Sequence, residues 1–368
     1  MVLLLARRLP LVATIALTLM LAGGCGTAID QPSPAERDVP DATATATTPA
    51  ARAYDGTDGP AGVLLATHAF LATLDDTGRA AVRGERTAAN LEQWSDLPDR
   101  LFKRAGLRMD GLDEGQRAAA MAILRAGLSR DGYRQVLQIT AADDLLARRT
   151  ESDQEYGSGH YWIRILGSPS AGEIWTVQYG GHHLGINLTL RGDQMTMAPS
   201  FWGAQPAVFH ALGEEIQPLR EVTEKAYTLI GALREEQRDE ARLDTRITDV
   251  MLGPQEDGRT LDPEGVRAST FSTRQRTLLA DLLAAWIGAL NAESAAEKIA
   301  EAKEDLGATT FAWSGGDEPG RPVYYRLQGP TFSIEFAHQA GKGRNGGGVG
   351  HVHAIYREPE NDYGMSYS

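Results

Sequence analysis

Four of the chain's eight histidines fall in two short runs, Gly181-His182-His183-Leu184 and Gly350-His351-Val352-His353. Imidazole is the commonest protein metal ligand and the usual proton carrier near neutral pH. Two histidines at i and i+2 on a strand project from one face, so His351 and His353 make the stronger pair. A metal would need a third group. Glu335 on the neighbouring expected strand is one candidate, and His182 or His183 from the first run is another. If His182 and His183 lie on a strand they face opposite ways and only one can join. Local alignment of the two halves favours His182, whereas an intervening turn would admit His183. Such a set suits a divalent transition metal (Zn, Fe(II), Mn or Cu), and an open coordination position would make the site catalytic. Glu335 would then act as ligand or general base. Two other readings stand beside this one: a metal-free catalytic or binding site, and histidines that only pack and hydrogen-bond.

Two arginines, Arg164 and Arg326, occupy matching places in expected strands. A buried arginine needs an anionic partner, which Glu335 or Asp362 would supply. Alternatively, the planar guanidinium captures a substrate carboxylate. Residues 341–348 form a glycine-rich stretch. It lacks the Gly-Lys-Ser/Thr ending of a phosphate-binding loop and leads into a strand, so it reads as a hairpin loop or as a lid over His351 and His353. The chain contains no Gly-x-Ser-x-Gly elbow, His-Glu-x-x-His helix or EF-hand loop.

The elements that must position these groups follow from periodicity. Helices are expected over residues 63–74, from an Asp113 N-cap through Met121, Ile123, Leu124 and Leu128, and, after an interruption at Gly132, to about residue 149. A meander follows at 160–167, 173–180, 183–191 and 194–197. Helix returns over 214–242. Residues 244–263 read as loop, with a short strand at 247–252. Helices over 272–290 and 292–306 precede strands at 309–313, 323–327, 332–338 and 350–357. The order is helices, strands, helices, strands. It predicts an α+β fold with antiparallel sheet flanked by helices and an internal duplication, with half-repeats at about 63–206 and 207–368. Residues 161–167 align with 323–329, 175–179 with 332–336, and Gly181-His182 with Gly350-His351.

Composition narrows the function further. Arg7 and Arg8 precede an uncharged apolar run at 9–21, then Leu21-Ala22-Gly23-Gly24-Cys25. The run is too short to cross ~30 Å of hydrocarbon comfortably. Residues 1–25 therefore read as a lipoprotein-type signal peptide with Cys25 as the lipidated residue. The expected partner is the outer face of the cell membrane, reached through that lipid anchor. Residues 26–62, rich in Ala, Thr and Pro, read as a flexible tether, and residues 63–368 as the folded body. Cys25 is the only cysteine, which leaves the body without disulfides, thiolate nucleophile or cysteine metal site. A net charge of -13 with no basic cluster argues against nucleic-acid binding.

Several spaced motifs add a resemblance. They include Arg104-Ala105-Gly106-Leu107, Leu166-Gly167-Ser168-Pro169, Trp175 with Gln178, Gly181-His182-His183-Leu184 with Asn187, and Phe201-Trp202-Gly203 with Pro206. The second half contributes Thr310-Phe311-Ala312-Trp313, Tyr324-Tyr325-Arg326, Ile334-Glu335-Phe336, His351-Val352-His353 with Arg357, and Asp362-Tyr363-Gly364. Across residues 63–364 the chain resembles the family called domain of unknown function 3500. The stretch between Leu243 and Arg267 departs from the glycine-rich, Asn-containing pattern expected there. The resemblance implies the extent of the domain and marks His182, His183, Glu335, His351 and His353. It implies no reaction. The functional expectation is an extracytoplasmic, lipid-anchored metal-dependent enzyme, either hydrolase or oxidoreductase. The alternative is a lipid-anchored protein that binds a small molecule without turnover.

Overall fold

The computed structural model describes residues 58–211, 213–340 and 349–367. The expected signal peptide, Cys25, most of the tether and the glycine-rich stretch 341–348 lie outside the described residues. The helices are α1 (Gly59–Thr73), α2 (Asp76–Val82), α3 (Ala88–Leu91), α4 (Glu114–Gly127), α5 (Arg130–Thr150), α6 (Arg220–Ala232), α7 (Glu235–Ala241), α8 (Thr273–Ile287) and α9 (Ala292–Glu304). In the first half the strands are β1 (Arg83–Gly84), β2 (Leu107–Arg108), β3 (Trp162–Leu166), β4 (Trp175–Gly181), β5 (Leu184–Arg191), β6 (Gln194–Thr196) and β7 (Ser200–Ala204). The rest are β8 (Phe209–Ala211), β9 (Glu214–Ile216), β10 (Val266–Arg267), β11 (Thr310–Gly315), β12 (Val323–Gln328), β13 (Ser333–Ala340) and β14 (Val349–Arg357). No described helix is long and apolar enough to cross a membrane.

The α+β expectation holds. One mixed sheet runs β1-β3-β4-β5-β7-β14-β13-β12-β11-β10, with β2 beside β3 and β6 beside β5. Every pairing in it is antiparallel except β1 with β3. The order reads the same from both ends about the β7–β14 seam, and the registers repeat. One rung passes through Arg108, Trp162, Gly180, Gly185 and Phe201. Its counterpart passes through Arg267, Thr310, Gln328, Ser333 and Arg357. The helices obey the same two-fold relation. Asp113 caps α4 in a capping box with Gln116, as Ser272 caps α8 with Gln275. Where α4 and α8 end, Ser129 N–H donates to the Ala289 carbonyl at 2.9 Å and Asn291 N–H to the Gly127 carbonyl at 3.0 Å.

This register corrects the strand-by-strand alignment drawn from sequence. β3 corresponds to β11, β4 to β12, β5 to β13 and β7 to β14, one strand out of phase with the expected matches. Period-two alternation recurs in every strand, so neighbouring strands align almost as well as true counterparts. Other boundaries also move. The first helix starts at Gly59, inside the expected tether. The break between α4 and α5 falls at Leu128-Ser129, where Ser129 caps α5, and not at Gly132. Gly132 instead sits in the first turn of α5, where a Cβ would come within 2.2 Å of the Ala289 carbonyl oxygen. Residues 214–242 split into β9, α6 and α7, and residues 247–252 form no strand.

The sheet's two faces differ in kind. Ile163, Val177, Tyr179, Ile186, Leu188, Trp202, Tyr325, Phe336 and Ala354 face the helices and merge with Val63, Ile123, Val136, Ile230 and Leu282 in one large core. Each such fully buried aliphatic or aromatic side chain contributes about 1.5–3 kcal/mol. The opposite face carries Arg164, Gln178, Asn187, Glu335, His353 and Arg357, covered by the segments 85–107 and 243–265. Those segments add only a small apolar cluster of Leu91, Trp94, Leu166, Phe201, Leu252, Ile355 and Tyr363. The polar groups singled out from sequence therefore lie on the loop-covered face, beside the seam.

Candidate metal centre

His182 and His183 are the two linking residues of the β4–β5 hairpin, whose last paired residues are Gly181 and Leu184. They belong to a turn, so the rule that strand neighbours face opposite ways does not apply. His183 has φ 65°, a left-handed conformation that costs a non-glycine residue about 1–3 kcal/mol. The surroundings hold it there. His183 N–H donates to the Asp96 carbonyl at 2.9 Å, and its own carbonyl accepts from Gly203 N–H at 2.7 Å. The Tyr161 hydroxyl donates to the His182 carbonyl at 2.7 Å, and Arg104 donates to the Gly181 carbonyl at 3.0 Å. Gly203 is required on packing grounds, because a Cβ there would lie 2.7 Å from the Val352 carbonyl oxygen and 3.3 Å from the His183 ring.

From the other half, His351 and His353 project from β14, with His353 in register with Gly203 on β7 and Ala337 on β13. The seam thus carries the second-half imidazoles to the first-half turn. The Nε2 atoms of His183 and His351 are 2.7 Å apart. One candidate ligand atom from each of His183, His351 and His353 can be chosen so that all lie within 4.8 Å of one another. The His351 and His353 rings meet edge to face at 4.4 Å, and those of His183 and His353 are 5.2 Å apart. A second such group joins Asp143, His182 and His183, and the His182 and His183 rings are only 3.6 Å apart. All four imidazoles of the two sequence runs therefore belong to one contiguous cluster.

Carboxylates orient the outer members. His353 Nδ1 lies 2.7 Å from Asp249 Oδ1, and its Nε2 lies 3.9 Å from Asp96 Oδ2. His182 Nδ1 lies 2.6 Å from Asp143 Oδ1, while Asp143 Oδ2 accepts from Gly157 N–H at 2.8 Å. A carboxylate oxygen accepts, so each Nδ1 donates and Nε2 is the ring atom left to face a metal. This carboxylate–imidazole arrangement is the usual support of a metal-ligating histidine. Burial pushes the His183 imidazole well below its ordinary value, and the charges of His182, His351 and His353 push it further. It stays neutral, the form that binds a metal. Burial opposes ionisation of Asp249, yet the His353 hydrogen bond and charge and the Val250 N–H hold its carboxyl below the ordinary range.

The donor set fits a borderline divalent ion. Nitrogen ligands around a tetrahedral ion at 2.0–2.1 Å stand about 3.3 Å apart. The His183–His351 separation of 2.7 Å is short of that spacing by about 0.6 Å, within the reach of a rotamer adjustment.

The remaining residues expected at the site go elsewhere. Glu335 is fully buried, but its oxygens accept from Met251 N–H at 2.9 Å, Leu252 N–H at 2.7 Å and the Tyr324 hydroxyl at 2.6 Å. Burial raises its carboxyl above the ordinary range, and these three bonds pull it back. Glu335 fastens the segment 243–265 to the sheet and does not enter either imidazole group. Arg326 pairs with Glu264, not with its cross-strand neighbour Glu335. Arg164 donates to Asn90 Oδ1 at 2.9 Å and Gln93 Oε1 at 3.1 Å, and forms no ion pair among the described residues. Asp362 pairs with Arg357 at 2.7 Å.

Asp143, Asp249 and Asp96 were missed from sequence. Asp143 left a trace: it is an acid on the apolar stripe of α5, four residues after Ile139 and three before Leu146, and only 1% exposed. Asp249 and Asp96 sit in irregular segments where no periodicity marks a buried side.

No curated protein and no solved structure is significantly similar to the chain. The family model described as "Protein of unknown function (DUF3500)" matches residues 59–365. The motifs quoted from both halves, and the two-fold fold they build, lie within that match, and the chain belongs to this family.

Proposed function

We propose that this chain is an exported, lipid-anchored, metal-dependent enzyme acting on a small molecule, with hydrolysis as its reaction class. The observation that carries the reading is the meeting of His183, His351 and His353 within 4.8 Å, drawn from segments far apart in the chain. Three imidazoles with Asp96 nearby suit Zn, Mn or Fe(II). The bound ion would supply Lewis acidity and lower the pKa of a coordinated water. The chain's own residues do the rest. Asp249 orients His353. Asp143 fixes the His182 tautomer, and His182, whose ring lies 3.6 Å from that of His183, would supply a base beside such an ion. That neighbouring base favours hydrolysis over redox chemistry. Export and anchoring rest on Arg7, Arg8, the apolar run and Cys25.

The test is elemental analysis of purified protein equilibrated with Zn, Mn or Fe(II). One ion per chain is expected, lost on His351→Ala combined with His353→Ala while the melting profile still shows a folded protein. Equal metal content in wild type and the double variant would overturn the reading.

A further inference from the structure

The two-fold relation exposes a difference between the halves. In the first half the space above Gly185 is filled. A Cβ on Gly185 would lie 2.5 Å from the Trp94 ring, and the remaining cavity, which Arg104 also lines, is about 20 Å³. In the second half the counterpart of Gly185 is Ser333, and the space above it is open. A cavity of about 320 Å³ lies there, between the β12–β13 hairpin and the segment 252–263. Ligand pockets run from roughly 300 to 1,000 Å³.

The cavity is chemically specific. Ser333 is 5% exposed and its hydroxyl has no hydrogen-bond partner among the described residues. Gln328 donates its amide N–H to the Leu261 carbonyl at 2.9 Å, and its buried Oε1 has no donor among the described residues. Buried polar atoms without partners are costly to leave unpaired, so a ligand that pairs them gains their hydrogen bonds. Leu252, Leu261 and Phe332 supply apolar walls, and Arg267 lines the same space from an exposed position, with no ion pair among the described residues. Arg357 and Asp362 also line it but satisfy each other at 2.7 Å. Arg259 lines it too and pairs with Glu256 at 2.8 Å, so the one charge on the lining without an ion pair among the described residues is positive.

We infer that this cavity is a second binding site, for a small organic anion that carries a hydroxyl or amide donor. The donor meets Gln328 Oε1, the Ser333 hydroxyl completes the polar end, the apolar body lies against Phe332 and Leu261, and the anionic group meets Arg267. The site is separate from the imidazole cluster: Arg357 follows His353 by four residues on β14, about 13 Å along the strand.

The experiment is saturation-transfer NMR on the folded chain with gluconate, tartrate, phenyllactate and N-acetylglycine as probes. At least one probe binds. Arg267→Glu weakens that probe at least tenfold, and Thr260→Trp, at the exposed rim of the cavity, abolishes its signal. His351→Ala combined with His353→Ala leaves it unchanged, which separates this site from the metal reading. The inference is overturned if no probe binds, if both rim variants bind as wild type does, or if binding disappears with the two histidines.

Discussion

Removing the Asp143 carboxylate tests the architecture of the imidazole cluster most directly. The group is 1% exposed and accepts two hydrogen bonds, from Gly157 N–H at 2.8 Å and from His182 Nδ1 at 2.6 Å. Asp143→Ala leaves both donors buried and unpaired. At about 1–3 kcal/mol for each, the loss centres on about 4 kcal/mol. Typical domains have only ~5–15 kcal/mol of stability in all. Asp143→Asn keeps an amide oxygen for Gly157 N–H and can meet the other His182 tautomer, so about 1–2 kcal/mol is lost. Urea unfolding at pH 7.5, followed by tryptophan fluorescence, reads both values. A loss below about 1 kcal/mol for Asp143→Ala, or no difference between Ala and Asn, would refute the claim that Asp143 is the fixed anchor of His182.

Two further predictions concern the helix-facing side of the sheet. His338 is 5% exposed, its Nδ1 has no partner among the described residues, and burial pushes its imidazole down to about 4. Between the unfolded value of ~6.5 and the folded value, the unfolded chain binds the extra proton, so stability falls as pH drops through that window. The contribution reaches about 3 kcal/mol near pH 4, and His338→Leu should remove that part of the slope in urea midpoints measured from pH 8 to pH 4.5; parallel wild-type and variant profiles would exclude it. Gly132→Ala drives a Cβ to within 2.2 Å of the Ala289 carbonyl oxygen, where α5 meets the end of α8. Overpacking against backbone costs roughly 1–3 kcal/mol, whereas an ordinary helical glycine gains from the change, so an unchanged or raised melting temperature would contradict the close contact.

The element types were legible because they follow from local pattern. The Asp113 and Ser272 caps, the apolar spacing of α4 and α8, and the alternation in β4 and β12 each act over a few residues. Internal duplication was legible for the same reason, but its strand register was not. Alternation repeats in all strands alike, and only the hydrogen-bonded ladder showed that β3 answers β11. The histidine runs were legible as composition. At His182 and His183 the sequence left strand and turn both open, because strand-like sequence on both sides masks a two-residue turn with a left-handed second residue. Glu335 was singled out as a third ligand or general base on the strand beside His351 and His353, and the structure gives it other partners. Its partners, the Met251 and Leu252 amides, belong to a segment whose backbone path carries no local signature.

Local sequence determined which stretches become helix or strand, which faces are apolar, and that imidazoles flank two β-segments. Those properties arise from interactions between residues only a few positions apart. Tertiary structure alone decided that the β7–β14 seam brings His351 and His353 to the β4–β5 turn, that Asp143 and Asp249 become the carboxylate partners of His182 and His353, and that Glu335 is consumed in holding a loop. Such contacts join residues from 39 to 168 positions apart, and their energies exist only once the sheet has closed around its two-fold seam.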